Sequence, residues 1–236
     1  MTPITVSQAL SQLQLTRLTH FTPARNLWHI FEQGGIRSSA DLAANAPDCF
    51  GPTDRQRLDQ HPDRVCCSFE YPNGYYLAKA RDGAEFWNYP EWVCLLLDVS
   101  LVLREDTLFS PCNAAKGNGA YIRSGGQALL DCFRSPSIPG GWPRGAQHLP
   151  GAATDLQAEV LVRGPVDLSY LRGIVVRDEA EALDLYAVLD RAGFNPGRHP
   201  WIIAPTFFDR DLLSMRVRNG KLITENCWIP PVIAED

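Results

Sequence analysis

Thr19-His20-Phe21-Thr22-Pro23-Ala24-Arg25-Asn26-Leu27, followed by Gly34-Gly35-Ile36, is the stretch on which the fold turns. Arg17 to Phe21 alternates enough to read as a strand. Pro23 stands where a helix can begin, because the N–H it lacks is one that a first turn leaves unpaired anyway. Leu27, Ile30 and Phe31 fall on one face of that helix. Gly34-Gly35 stops it and Ile36 opens the next strand. Strand, helix and strand thus follow one another closely, with His20 and Thr22 at the end of the first.

Outward from this unit, residues 5–13 read as a short helical lead-in and residues 38–64 as irregular, apart from a charged piece that a helix can accommodate at Asp54 to Asp59. Val65 to Tyr71 reads as a buried strand broken by Pro72-Asn73-Gly74. Tyr75 to Arg81 fits a short helix. Trp92 to Val99 is the strongest apolar run and predicts a central strand. Leu101 to Leu103 reads as a turn and Thr107 to Ser110 as a short strand. A loop and helix opening at Asn113-Ala114-Ala115 end near Phe133. Residues 135–154 are rich in Pro and Gly and form a long loop, and a loop of that length in a compact domain is usually functional or mobile. Gln157 to Val162 and Ile174 to Arg177 read as strands, with a further element starting at Val166 to Leu171. Glu179 to Ala192 is an amphipathic helix closed by Gly193, and short strands follow around Trp201-Ile202-Ile203 and Trp228-Ile229. The mixture predicts an α+β fold. No linker divides the chain, so residues 1–236 are expected to form a single domain.

Composition is that of an ordinary globular protein, 45% hydrophobic and 21% charged. A formal net charge of -5 argues against a protein coated in basic surface for duplex DNA, although a local patch can act alone. No apolar run approaches the roughly 18 residues that a membrane span needs. Met1 to Gln14 has no basic start followed by an apolar core, so a cytoplasmic protein is expected. The cysteines, Cys49, Cys66, Cys67, Cys94, Cys112, Cys132 and Cys227, are odd in number and form no Cys-x-x-Cys pair. Several sit in apolar strings, where cysteine acts as a small buried hydrophobe. The histidines are widely spaced, so no metal site is expected. Neither Gly-x-Gly-x-x-Gly after a strand nor Gly-Lys-Ser/Thr occurs, so a dinucleotide would be held without the usual phosphate loop.

The second string that matters is Gln157-Ala158-Glu159-Val160-Leu161-Val162. Residues two apart on a strand share a face, which places the Gln157 amide beside the Glu159 carboxylate. One reading is a polar, exposed strand face. The other is a carboxylate that stabilises positive charge on a ribose and takes a proton from an incoming nucleophile. His20 likewise reads either as a core histidine bonded to backbone or as a ring N–H offered to a ribose hydroxyl. Asn26 can be a turn residue. Arg57 can be a solvated charge beside Asp54 and Asp59, or grip a pyrophosphate through paired N–H groups.

Taken in order, four blocks resemble the DarT family of DNA ADP-ribosyltransferase toxins from DarT–DarG toxin–antitoxin systems. They are Thr19 to Leu27 with Gly34 to Ile36; Asp54 to Asp59 with Ser68-Phe69-Glu70-Tyr71-Pro72-Asn73; Asn113-Ala114-Ala115; and Gln157 to Val162. The likeness spans roughly residues 16–177. It implies an ADP-ribosyltransferase-like α+β fold with NAD as co-substrate in a central cleft and no metal. It implies Glu159 and Arg57 as catalytic residues. His20, Thr22 and Asn26 would lie on the adenosine and ribose side of NAD, with Leu27, Gly35, Ser68, Tyr71 and Gln157 also at the NAD site. The 135–154 loop would recognise substrate, and a DarG-type macrodomain antitoxin would be the partner. Tyr71-Pro72-Asn73 resembles the guanine-modifying branch more than the thymine-modifying one. Phe21 departs from the family, which carries a smaller aliphatic residue there.

The residues add a hint about the acceptor. Between Asn113 and Pro150, Lys116, Arg123, Arg134 and Arg144 face Asp131 alone, a basic stretch in an acidic protein that suits phosphates. Trp142 and Tyr121 can stack on unpaired bases, or Trp142 can pin the loop to the body. An enzyme acting on a base edge must reach that base outside the stack, which favours single-stranded DNA. Asn73, Tyr76, Arg81, Asn113, Lys116, Trp142 and Arg144 are the candidate nucleic-acid contacts, with Lys79 near them. Tyr75 and Tyr76 can line a nicotinamide pocket by stacking or be plain core aromatics, core being preferred for one of the two. Two other functions stay open: an ADP-ribosyltransferase acting on RNA or protein, and a catalytically silent NAD- or nucleic-acid-binding regulator.

Overall fold

A computed structural model describes residues 2–45, 58–83 and 91–231. In chain order the elements are α1 (Val6–Leu10), β1 (Arg17–Pro23), α2 (Asn26–Glu32), β2 (Gly35–Ile36), α3 (Ser39–Asn45), β3 (Arg64–Phe69), α4 (Gly74–Arg81) and β4 (Trp92–Asp98). Then come β5 (Leu108–Ser110), β6 (Arg123–Ser124), α5 (Gly126–Asp131), β7 (Glu159–Arg163), β8 (Val166–Asp167) and β9 (Leu171–Val176). The chain continues through α6 (Glu179–Arg191), β10 (Trp201–Ile203), α7 (Arg210–Arg218) and β11 (Asn226–Trp228).

A nine-stranded sheet in the order β11-β10-β9-β4-β1-β3-β7-β5-β6 forms the body, and β2 pairs with β8 separately. All the pairings are antiparallel except that of β9 with β10. The apolar run predicted to be central is β4, buried from Trp92 to Leu97 and flanked by β1 and β9. Its odd residues Val93, Leu95 and Leu97 join Leu18, Phe69, Val160 and Ile174 in one core layer. Its even residues Cys94 and Leu96 join Val175, Phe207 and Leu213 in the layer on the other face. This is the two-sided burial expected of an inner strand.

Short elements owe their positions to caps and close approaches. Thr5 and Gln8 form a capping box at α1. The first turn of α5 lies against α1 so tightly that a Cβ on Gly126 would stand 2.3 Å from the Thr5 carbonyl oxygen. Asp178 caps α6 by accepting the Glu181 N–H, and Gly193, at φ 84°, ends the run that the sequence closes there.

Three local readings change, and one helix was not expected from the sequence. Pro23 is the last residue of β1, opposite Trp92, and the helix begins at Asn26. The stretch 38–64 contains α3, where the Ser38 hydroxyl accepts the Asp41 N–H, a start signal hidden by a weak apolar pattern. Leu101 to Leu103 belongs to a 3-10 helix, Val99–Leu103, capped by Asp98. The helix α7 carries an equally local signal, the Asp209 carboxylate accepting the N–H groups of Asp211 and Leu212. Asp54 to Arg57, in the charged piece, lie outside the described residues.

Candidate active site

The sheet opens between β1 and β3. Their pairing covers Leu18↔Phe69 and Thr19↔Ser68 and stops there. On either side the ladders continue, β1 with β4 as far as Pro23↔Trp92 and β3 with β7 as far as Arg64↔Arg163. The His20 ring takes the place of the missing rungs, its Nδ1 2.8 Å from the Cys66 carbonyl oxygen. A carbonyl only accepts, so Nδ1 carries the proton, and in the neutral ring Nε2 is the acceptor. Burial pushes the His20 pKa below its ordinary value, which keeps the ring neutral. A hydroxyl that met the ring at Nε2 would therefore donate to it, the reverse of the polarity expected from the sequence.

A cavity of about 710 Å³ lies at this opening, within the size range of small-ligand sites. His20 and Phe21 of β1 and Val65 to Ser68 of β3 line its floor. Asn73, Tyr75, Tyr76 and Lys79 form one wall, Asn113 to Ala115 and Glu159 another. The charged residues on the described lining are Arg37, Arg64 and Lys79 against Asp59 and Glu159, a positive balance that suits a diphosphate.

Glu159 is the first residue of β7, opposite Ser68 on β3 and Ser110 on β5. Its Oε1 accepts the Ala114 N–H at 3.0 Å. Ser68 also sets the far wall: its hydroxyl accepts the Asn73 N–H at 3.1 Å, and Asn73 Oδ1 caps α4 by accepting the Tyr76 N–H at 3.0 Å. That chain of bonds stands Tyr76 beside Phe21, ring centroids 6.0 Å apart, at the cavity edge. The neighbouring Cys67 thiol is pushed up to about 12 by burial, helped by the Glu159 charge, so it stays protonated and is no nucleophile. Among the described residues no group of three His, Cys, Asp or Glu is placed to hold a metal ion.

The structure brings His20, Ser68, Gln157, Glu159, Asn73, Tyr76 and Asn113 to one cavity. Gln157 reaches it from the turn before β7 rather than from the strand, its N–H held by Asp155 Oδ1. Thr22, Asn26, Leu27, Gly35 and Tyr71 do not line it. Asn26 Nδ2 donates to Thr22 Oγ1 at 2.8 Å, Leu27 is core, and Gly35 lets β2 approach β8 so closely that a Cβ would meet the Val166 oxygen at 2.6 Å. Tyr71 packs edge-on against Phe207 in the second core layer. Arg57 lies outside the described residues; Leu58, the next residue, lines the cavity.

Away from the cavity, Arg81 donates to the Phe208 carbonyl and Lys116 sits on the exposed turn after Asn113. Arg144 turns inward, donating to the carbonyls of Leu149, Pro150 and Ala152 and so bracing the 135–154 loop from within. Trp142, at 77% exposure, does not pin that loop to the body. Sequence reasoning passed over Arg37, Asp59 and Arg64. Arg64 is buried at the start of β3 and bonded to the Asp106 carbonyl, and the only local signal is a cation opening an apolar strand.

Comparison with known proteins places this arrangement. The family described as "ssDNA thymidine ADP-ribosyltransferase, DarT" matches residues 19–208, and the chain belongs to that family. Among solved structures, Thermus sp. 2.9 DarT in complex with ADP-ribosylated ssDNA is similar at a TM-score of 0.58 and 14% identity, over 83% of this chain and 97% of that one. The same Thermus protein in complex with NAD+ is similar at 0.55 and 15% identity, over 83% and 98%. Thermosipho africanus DarTG in complex with ADP-ribose is similar at 0.55 and 18% identity over 82% of this chain, which spans 51% of that longer one. These likenesses establish the shared ADP-ribosyltransferase-like fold. Comparison with curated protein sequences found no match.

Proposed function

We propose that this member of the DarT family transfers the ADP-ribosyl group of NAD to a base of single-stranded DNA. The observation that carries the reading is the pair of groups at the opened sheet: the Glu159 carboxylate on β7 and the neutral His20 ring on β1, both lining one cavity. The structures of Thermus DarT with NAD+ and with ADP-ribosylated DNA supply the ligand classes.

As the bond between ribose and nicotinamide breaks, positive charge grows on the ribose carbon. A carboxylate held in a walled cavity stabilises that charge far better than water does. Glu159 then accepts the proton released when a base nitrogen attacks. His20 Nε2 accepts a ribose hydroxyl and orients the sugar. Arg37, Arg64 and Lys79 supply the positive balance for the diphosphate, and Arg57 joins them by its place in the family pattern.

Tyr71-Pro72-Asn73 favours guanine as the acceptor, whereas the family description names thymidine. The 135–154 loop, braced from within and presenting Trp142, takes the strand. The biological role we read is that of a cytoplasmic toxin neutralised by a DarG-type macrodomain partner.

The test is incubation of the protein with NAD and single-stranded oligonucleotides each lacking one base type, read by intact mass. A gain of one ADP-ribose that disappears only without guanine supports the full reading. Disappearance only without thymine keeps the enzyme and reverses the base. Nicotinamide release only with RNA or lysate moves the acceptor to RNA or protein, and no NAD turnover identifies a silent binding module.

A further inference from the structure

We infer that Asn113 is a positioning residue for the Glu159 carboxylate, acting through the turn it closes on itself. This rests on the reading above, in which Glu159 assists the transfer. Asn113 Oδ1 accepts the Ala115 N–H at 3.0 Å, and the Asn113 carbonyl accepts the Lys116 N–H at 3.0 Å. Side chain and main chain of one residue thus hold both later N–H groups of the turn. The N–H that precedes them, that of Ala114, takes no part in those two bonds and donates to Glu159 Oε1 at 3.0 Å.

The turn is anchored at its centre. Ala114 is buried and packs with Ile122 and Leu161, the latter two residues along β7 from Glu159. The donor and the carboxylate are therefore tied to the same strand by two routes. The terminal torsion of a glutamate is broad, and a charge-assisted bond to one oxygen restricts it. A carboxylate that must meet a developing charge gains most from such restriction, because small displacements of a reacting group cost rate. A residue at this place needs a side-chain acceptor one atom beyond Cγ: Asn or Asp supplies it, Ser supplies a weaker substitute and Ala supplies none.

The sequence alone makes Asn113 a candidate nucleic-acid contact, and the two roles separate in kinetics. We expect Asn113→Ala to lower kcat for ADP-ribosyl transfer by about tenfold to a hundredfold, with KM for NAD and for the oligonucleotide changed less than about threefold. Asn113→Asp restores most of kcat and Asn113→Ser part of it. In a Glu159→Gln background, Asn113→Ala produces no further loss of residual NAD turnover, since the two act as one unit. An unchanged kcat overturns the inference. So does a rise in oligonucleotide KM at constant kcat, which assigns Asn113 to the nucleic acid. If Asn113→Ala does not fold, the order wild type, Asp, Ser in kcat decides, and equal rates overturn the proposal. Full transfer by Glu159→Gln alone sinks the underlying reading instead.

Discussion

His20 Nδ1 and the Cys66 carbonyl oxygen lie 2.8 Å apart across the opening between β1 and β3, so the ring caps a backbone acceptor that the interrupted ladder exposes. This one bond makes His20 a structural closure and leaves its Nε2 as an acceptor on the cavity lining. The two parts can be separated by substitution. In His20→Asn the amide Nδ2 keeps a donor for the Cys66 carbonyl and removes the Nε2 acceptor. KM for NAD should rise about tenfold, the effect of one lost hydrogen bond, at unchanged stability. His20→Phe removes both and should also lower the urea midpoint. If NAD affinity in His20→Asn equals that of wild type, His20 does not touch the ligand.

Glu159→Gln preserves the Oε1 acceptor for the Ala114 N–H and removes only the charge. Transfer should fall by about 10²–10⁴-fold, the range for a general base or charge-stabilising group. NAD binding, followed by calorimetry, should persist. A variant that loses binding and transfer together would place Glu159 in ground-state binding.

Two residues of one loop should fail in opposite ways. Trp142 is largely exposed, so Trp142→Ala should leave the melting temperature within error. If it stacks on a base, oligonucleotide KM should rise about fivefold to a hundredfold. Arg144 holds carbonyls of its own loop and lies over Phe133. Arg144→Ala should make the 135–154 loop the first site of limited proteolysis, and Arg144→Lys should not restore protection, because an ammonium cannot span the same fork of acceptors.

Stability should fall with acid because of His148. Its Nε2 is bonded to the Ala153 carbonyl, and burial, reinforced by the Arg144 charge, brings its pKa down to about 4. The unfolded chain binds a proton near the ordinary 6.5, so below that pH the unfolded state gains a proton that the folded state refuses. Stability is complete above about 6.5 and is lost as pH falls towards about 4. His148→Gln keeps a donor without titrating, and should flatten the melting temperature over that window. The flattening is partial, because His20 and His199 are also held below their ordinary values by burial. An unaltered pH slope in His148→Gln removes His148 from the account.

The segment after α7 is tied to the body by Arg17, whose two Nη atoms each donate to Glu225 at 2.6 Å between the rings of Tyr71 and Phe207. Glu225→Ala leaves a largely buried guanidinium with Glu70 as its remaining carboxylate partner among the described residues, a loss of about 3 kcal/mol in urea unfolding. No change in the midpoint would mean that the tail is not docked in solution.

What could be read in the chain was local. Trp92 to Asp98, Glu179 to Arg191 and Tyr75 to Arg81 announce themselves because period, caps and breakers act over neighbouring residues. His20 and Glu159 were recognisable as a pair through the order of motifs, and both line the cavity. Tertiary structure alone decided where the rungs between β1 and β3 stop, which nitrogen of His20 is committed, that Ala114 holds Glu159, and that Arg144 faces its own loop while Trp142 faces outward. It likewise carried Tyr71 into the core against Phe207 and brought Arg64 to the cavity wall. Apart from the fold of Arg144 and Trp142 within one loop, each of these depends on register and contact between residues tens of positions apart. Local propensity carries no information about which of two distant backbones will present a donor, because that choice is made only when the layers pack.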